Sequence, residues 1–286
     1  MLPGRRLSRL APLAALGLPV LLAACGGGES KPAPLSALPG GAVPVRGVPV
    51  PDQPNVPRYA TRLPEAFSRA NAVAVALREW RAFGQGVDDD PPDTRPPLGD
   101  ARPDRQPGLW QRVGDYWFTG QDVGTRTQDW TSKYDGGGEF PAGDDAHAWS
   151  AAFISYVMRV AGAGPRFPYA PVHSAYVNAS VQGGYALEGH RLGDYAPLPG
   201  DLVCMGRGRA AAMVFDRLPA GTFPAHCDLV VATAPGQDTV VGGNVDGSVT
   251  MKHVPVTDDG KLARPDGTVL DSRWPWFVAI RVLYDQ

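Results

Sequence analysis

The sequence predicts an α+β domain in which helices come first and pack on an antiparallel β-sheet. Two segments, 64–85 and 148 to about 160, carry apolar residues at helical spacing. Five short runs rich in β-branched residues follow, separated by turn signals such as Ala-Pro-Gly at 234–236 and Asp-Gly at 246–247. Helices followed by short strands with tight turns are typical of this fold class.

The first 24 residues are predicted to be a lipoprotein signal peptide. Three arginines precede an apolar run that is too short, and too interrupted by proline, to span a bilayer. The run ends in Leu-Ala-Ala-Cys and resembles the lipobox of bacterial lipoproteins, which implies lipidation at Cys25. A plain secretory peptide with a chance cysteine is the alternative. Both interpretations predict export, and the lipobox adds a membrane anchor that holds the protein in the cell envelope, facing the periplasm.

Residues 25–57 are rich in glycine and proline and lack apolar periodicity, so they are predicted to be a disordered tether. Residues 58–286 have the apolar content of a single folded domain. Within this domain, about 86–108 is a Pro/Asp-rich insertion whose prolines and like charges disfavour regular structure. A solvated insertion is the expectation, and a regulatory or partner-binding loop is the alternative.

The central helix begins near Ser150, in the stretch "HAWSAAFISYVMRVAGAG", and is apolar most of the way round. The following stretch, "FPYAPVHSAYVNAS", is predicted to be a loop. In the strand region, a loop of about five residues between "HCDLVVAT" and "TVVGGNV" would set Asp228 opposite Asn244 and His226 opposite Asp246.

Charge and cysteine content limit the partners. The net charge is −2 and no basic stripe with interleaved aromatic residues is present, so nucleic acid is excluded as a partner. With Cys25 lipidated, Cys204 and Cys227 remain as an even pair in an oxidising compartment and form a candidate disulfide. A metal site that combines both cysteines with His226 and Asp228 is the alternative. Its spacing matches no established zinc pattern, so neither a metal nor a cofactor is expected.

Common catalytic signatures are absent from the sequence, among them the G-x-S-x-G elbow, H-E-x-x-H and the P-loop. Four stretches nevertheless carry a resemblance: "AWSAAFISYVMRVAGAG", "PLPGDLVCMGRG", "HCDLVVA" and "VVGGNV". Together they are similar to the NlpC-type and CHAP-type cell-wall peptidases. More closely, they resemble an uncharacterised bacterial family, often lipoproteins, that shares the W-S-A-A-F-I-S form. The resemblance covers about 64–284, with its informative motifs within 148–245, and implies a papain-like fold.

Matched residue by residue, the resemblance implies that Ser150 is the nucleophile, His226 the general base and Asn244 the residue that orients the imidazole. Two departures stand out: serine replaces the usual cysteine, and Gly242 stands where many relatives have an acid. A serine hydroxyl must lose its proton to the base during attack, and that base needs a third group to hold its tautomer.

Three other residues remain candidates for the site. Asp228 and Asp246 are alternatives to Asn244 as the third group, and His173 could line the same cleft.

The resemblance to cell-wall peptidases implies an amidase or endopeptidase that acts on peptidoglycan peptides or other envelope peptides. A catalytically inactive module that binds peptidoglycan or protein, and a structural envelope lipoprotein, are the alternatives.

Overall fold

The computed structural model describes residues 48–49, 61–62, 66–91, 94, 98–120 and 148–285. These residues belong to a compact unit that spans Gly47–Gln286. The signal peptide, Cys25 and most of the predicted tether lie outside the described residues. Strand β1, Val48–Pro49, pairs with β2, Thr61–Arg62, so paired structure begins before residue 58.

Four α-helices are present in the part of the chain that the structure describes: α1 Arg69–Ala82, α2 Leu109–Thr119, α3 Ser150–Val160 and α4 His173–Gln182. The first is shorter than the predicted 64–85, because the Oγ of Ser68 accepts a hydrogen bond from the backbone N–H of Asn71 and caps the helix there. Helix α4 replaces the predicted loop. The prolines of the predicted loop precede the helix instead of interrupting it.

The main sheet has six antiparallel strands in the order β3-β8-β4-β5-β6-β7, so the predicted α+β class is confirmed. The strands are β3 Leu187–His190, β4 Leu202–Gly206, β5 Ala225–Ala234, β6 Gln237–Val245, β7 Ser248–Pro255 and β8 Trp276–Val282. Of these six strands, β3 alone was not predicted from the sequence.

Both faces of the sheet are covered. One apolar cluster joins the helices to the sheet and includes Phe153, Ile154 and Leu229. A second cluster includes Val230 and Trp274 and contains the strand side chains that point to the other face of the sheet. Because successive side chains of a strand point to opposite faces, Leu229 and Val230 enter different clusters.

The hairpin of β5 and β6 is tighter than predicted, because β5 ends at Ala234 and β6 starts at Gln237. Gly236 adopts a φ of +77°, which glycine tolerates at a sharp turn. The resulting register sets Leu229 opposite Val241. Continued along the strands, it sets Asp228 opposite Gly242, so the predicted pairing of Asp228 with Asn244 and of His226 with Asp246 is wrong.

The insertion at 86–108 is tied to the domain at both of its ends. Val87 bridges to Met251, and two short 3₁₀ helices, Gly99–Ala101 and Pro103–Arg105, precede α2. Asp104 is buried within the second of these. Most of the described residues of this segment are exposed, as expected of a solvated insertion, and Asp88 and Asp104 are the buried ones among them. No helix in the described ranges has the length and hydropathy needed to cross a membrane.

Candidate functional site

Ser150 is the first residue of α3 and its side chain is buried. The first backbone N–H groups of a helix have no partner within the helix, and they carry the positive end of its dipole. The Oγ of Ser150 lies 2.7 Å from the Nε2 of His173, which is the first residue of α4. Two helix N-termini thus bring a hydroxyl and an imidazole into hydrogen-bond contact.

His173 has a second contact one helical turn further on. Its Nδ1 meets the hydroxyl of Tyr176, and both residues are buried. Burial lowers the pKa of His173 well below its usual value, and the neighbouring His226 shifts it the same way. Near neutral pH the ring of His173 is therefore uncharged and can accept the proton of Ser150.

Tyr176 keeps its proton, because burial raises the pKa of its phenol well above the usual value. A protonated phenol can donate or accept a hydrogen bond. Tyr176 therefore holds the ring of His173 in place without dictating which nitrogen carries the proton.

His226 belongs to a separate hydrogen-bond network. Its Nε2 lies 2.8 Å from the Oδ1 of Asp228, whose Oδ2 accepts from the Nζ of Lys252, also at 2.8 Å. All three side chains are at most 2% exposed. The ring centroids of His226 and His173 are 5.3 Å apart, so the two networks lie side by side.

Opposite charges set the protonation states in this second network. Burial opposes ionisation of Asp228, but Lys252 and His226 outweigh it and lower the pKa of the carboxyl. Burial lowers the pKa of His226; Asp228 opposes this shift and Lys252 reinforces it. Near neutral pH the network contains an ammonium, a carboxylate and an uncharged imidazole.

Gly242 leaves room for the carboxylate of Asp228. A Cβ placed on Gly242 would lie 1.7 Å from the Oδ1 of Asp228 and 2.8 Å from the Nε2 of His226. The neighbouring Gly243 allows the rings of Phe153 and Trp149 to approach the same strand. Asp228 therefore occupies the space that an acid at position 242 would fill.

Residues 104–282 match the family described as an uncharacterized protein conserved in bacteria, DUF2272. The chain belongs to this family. The matched range includes every residue of both networks. No curated protein and no solved structure matches the chain.

Within the DUF2272 domain, the structure brings together four of the candidate residues: Ser150, His173, His226 and Asp228. The hydroxyl of Ser150 contacts His173, not the His226 that the sequence assigned to it. No hydrogen bond among the described residues joins Asn244 to either histidine. Asn244 lies where the β6–β7 register shifts and has a φ of +59°. Asp246 is exposed in the following turn, at a φ of +50°.

Sequence reasoning missed two members of the site, Tyr176 and Lys252. Tyr176 stands three residues after His173, a spacing that places both on one helix face once α4 is known. Lys252 lies between Thr250 and Val254 in the alternating series of β7 that is buried. A lysine in the buried series of a strand indicates a buried acidic partner, and this signal was available in the sequence.

Cys204 and Cys227 form a disulfide between facing residues of β4 and β5. Their sulfurs are therefore not free to bind a metal, which removes two ligands from the alternative metal site. Among the described residues, no group of three or more histidine, cysteine or acidic side chains is placed to hold a metal ion.

Trp149 precedes Ser150 and is buried. Its Nε1 donates to the Oδ2 of Asp104 at 2.9 Å. Arg102 contacts the same carboxylate. The Pro/Asp-rich insertion thus helps to fix the start of α3.

Proposed function

We propose that the DUF2272 domain of this protein is a hydrolase that cleaves amide bonds with Ser150 as its nucleophile. The observation that carries the proposal is the 2.7 Å contact between the Oγ of Ser150 and the Nε2 of His173 at the start of α3. A buried hydroxyl in contact with an uncharged imidazole is the arrangement that activates serine for acyl transfer.

In the proposed reaction, His173 takes the proton of Ser150 while Oγ attacks the carbonyl carbon of the substrate. Backbone N–H groups at the start of α3 stabilise the negative charge that develops on the carbonyl oxygen. His173 then gives its proton to the leaving amine, and an ester at Ser150 remains. Tyr176 keeps the ring of His173 in position during both transfers.

We further propose a papain-like fold and a peptide of peptidoglycan or of another envelope component as the substrate. The motif resemblance supports both. So does the placement of Ser150 at a helix start, in contact with His173, whose ring centroid lies 5.3 Å from that of the strand histidine His226. We propose an exported protein anchored at Cys25, and the disulfide of Cys204 and Cys227 supports an oxidising compartment.

A second candidate function, favoured by the burial of the site, is a non-catalytic module that binds peptidoglycan or protein. Ser150, His173 and His226 are 3%, 4% and 1% exposed. Tyr176, the group behind His173, is a phenol and stabilises an imidazolium less than a carboxylate does. The burial of the site equally favours the other alternative, a structural envelope lipoprotein.

Covalent labelling with a fluorophosphonate tests whether Ser150 is activated. We expect the wild type to be labelled and Ser150→Ala to be unlabelled. Ser155→Ala is the matched control, because Ser155 is also buried on α3 but its hydroxyl forms its hydrogen bonds, among the described residues, with the backbone of Ala170. Equal labelling of Ser150→Ala and the wild type would contradict the proposal.

Purified sacculi separate the two candidate functions. A hydrolase releases soluble peptide fragments, and Ser150→Ala abolishes this release while the protein still sediments with the sacculi. If the wild type sediments with sacculi, releases nothing and is not labelled, the binding module is the correct function.

A further inference from the structure

We propose that His226 is a second base in this site and that it activates the water molecule that hydrolyses the ester at Ser150. The inference rests on the proposed function, which forms that ester. In this division of labour His173 serves acylation and His226 serves deacylation. Asp228 and Lys252 are positioning residues for His226.

The hydrogen bonds of His226 fix its tautomer. Ionised Asp228 can only accept, so the Nε2 of His226 carries the proton that is donated to Oδ1. In an uncharged ring this leaves a lone pair on Nδ1. That atom is fully buried and has no hydrogen-bond partner among the described residues. A buried acceptor of this kind requires a donor, and in the proposed step that donor is water. The water would lie close to the nucleophile, because the ring of His226 neighbours that of His173.

Lys252 keeps His226 in the state that a base requires. Its ammonium is buried, binds the free oxygen of Asp228 and lies 5.7 Å from the centre of the Trp274 ring. Because Lys252 balances the carboxylate, Asp228 does not draw a second proton onto His226. Without Lys252, the buried negative charge would favour an imidazolium, which cannot accept a proton from water.

Among the described residues, the charged and titratable groups that face His226 are Asp228, Lys252, His173 and Arg207. Burial lowers the pKa of His226, Asp228 raises it, and Lys252 and Arg207 lower it. His226 is thus uncharged near neutral pH. The two histidines differ in what holds them, since Tyr176 leaves the proton of His173 on either nitrogen whereas Asp228 places that of His226 on Nε2.

The deacylation step balances as follows. Water gives one proton to the Nδ1 of His226, and its oxygen forms a bond to the acyl carbon. The bond between that carbon and the Oγ of Ser150 then breaks. The proton on His226 passes to the departing Oγ, which regenerates the serine hydroxyl and the uncharged imidazole and releases a carboxylic acid.

Rapid-mixing kinetics of the full chain with p-nitrophenyl acetate test the division of labour. We expect His226→Gln to keep the initial burst of p-nitrophenol, to lose about 100-fold in steady-state turnover and to accumulate acetyl-Ser150 by intact mass. His173→Gln loses the burst. His190→Gln is the matched control, because the His190 ring stacks on Tyr195, outside both networks, and this variant should behave as the wild type.

The outcomes separate this inference from the proposed function. A wild type that shows neither a burst nor turnover overturns both. A wild type that turns over the ester, with a His226→Gln variant that loses the burst together with turnover, overturns the inference alone. Near-UV circular dichroism checks folding, and His226→Asn is the second variant if His226→Gln does not fold.

The role of Lys252 is tested by the pH dependence of deacylation. Lys252→Met removes a cation that lowers the pKa of His226, so the midpoint of the deacylation profile should move to higher pH. Lys252→Arg keeps the charge and should restore the midpoint. A lower rate in Lys252→Met with an unchanged midpoint would mean that Lys252 is only structural.

Discussion

Single residues decide which carboxylate the site contains. The missing side chain of Gly242 makes room for the carboxylate of Asp228, and through it for the ordered ring of His226. The carboxylate beside His226 is therefore supplied by Asp228 on the neighbouring strand and not by position 242. Asp228 was an alternative for the third group, and the structure places it on His226, whereas among the described residues no hydrogen bond joins Asn244 to either histidine.

Gly242→Ala should disrupt this arrangement. The added methyl group would overlap the carboxylate of Asp228, so we expect the free energy of unfolding to fall by about 1–3 kcal/mol and the steady-state turnover of p-nitrophenyl acetate to decrease. Thermal unfolding and turnover measure the two effects. Gly221→Ala is the control, because a Cβ at Gly221 meets no atom within 4 Å, and the proposed crowding is refuted if both variants behave alike.

Among the elements, helices α1 and α3 and five strands were predictable from the sequence, whereas helices α2 and α4 were not. The α+β class, the start of α3 near Ser150 and five strands follow from hydrophobic periodicity and turn residues. Helix α4 was missed because the prolines that precede it resemble a loop. That omission hid the spacing of His173 and Tyr176, so the contact with Ser150 could not be anticipated.

Pairing between elements depends on turn geometry, which the sequence specifies less firmly. The choice between a two-residue turn and a longer loop in the β5–β6 hairpin changes every facing pair of residues. This choice moved Asp228 from Asn244 to Gly242. By contrast, facing positions on β4 and β5 brought the two cysteines together as the even pair suggested.

The disulfide that joins β4 to β5 should contribute strongly to the stability of the domain. Replacing both cysteines, as Cys204→Ser with Cys227→Ser, removes a cross-link over a sequence separation of 23 residues. We expect the free energy of unfolding to fall by about 2–4 kcal/mol in urea titrations. Reductant should destabilise the wild type and leave the double variant unchanged, and equal sensitivity of the two proteins would contradict the prediction.

At the scale of the whole molecule, the site forms where helices and sheet meet. Ser150 and His173 come from the starts of two helices, and His226, Asp228 and Lys252 come from two strands. No single motif contains them. A sequence search by local pattern can therefore find Ser150 and the strand histidine, while their hydrogen-bond partners depend on tertiary packing.

The stability of the whole domain should depend on the titration of Asp238. This carboxyl is buried, one of its oxygens has no hydrogen-bond partner among the described residues, and burial raises its pKa to about 7. The folded state therefore binds a proton more tightly than the unfolded state. Stability should rise as pH falls from about 8 through about 7 towards the ordinary pKa of an unfolded aspartate, about 4.

Asp238→Asn tests this dependence, because the amide has a similar shape and does not ionise. The variant should unfold at a higher temperature than the wild type at about pH 8, and the difference should shrink by about pH 5. Asp258→Asn, at an exposed position, should change neither value. A difference for Asp238→Asn that is the same at both pH values would show that charge is not the cause.

The space shared by Asp228 and Gly242 has an evolutionary consequence. Only one of the two positions can hold a carboxylate, and a chain that exchanged them would pass through an intermediate with two crowded acids or with none. Among relatives we expect the two positions to change together, with aspartate at one accompanied by glycine at the other. Each relative should then carry the acid on one of the two strands, and in this chain it is on β5.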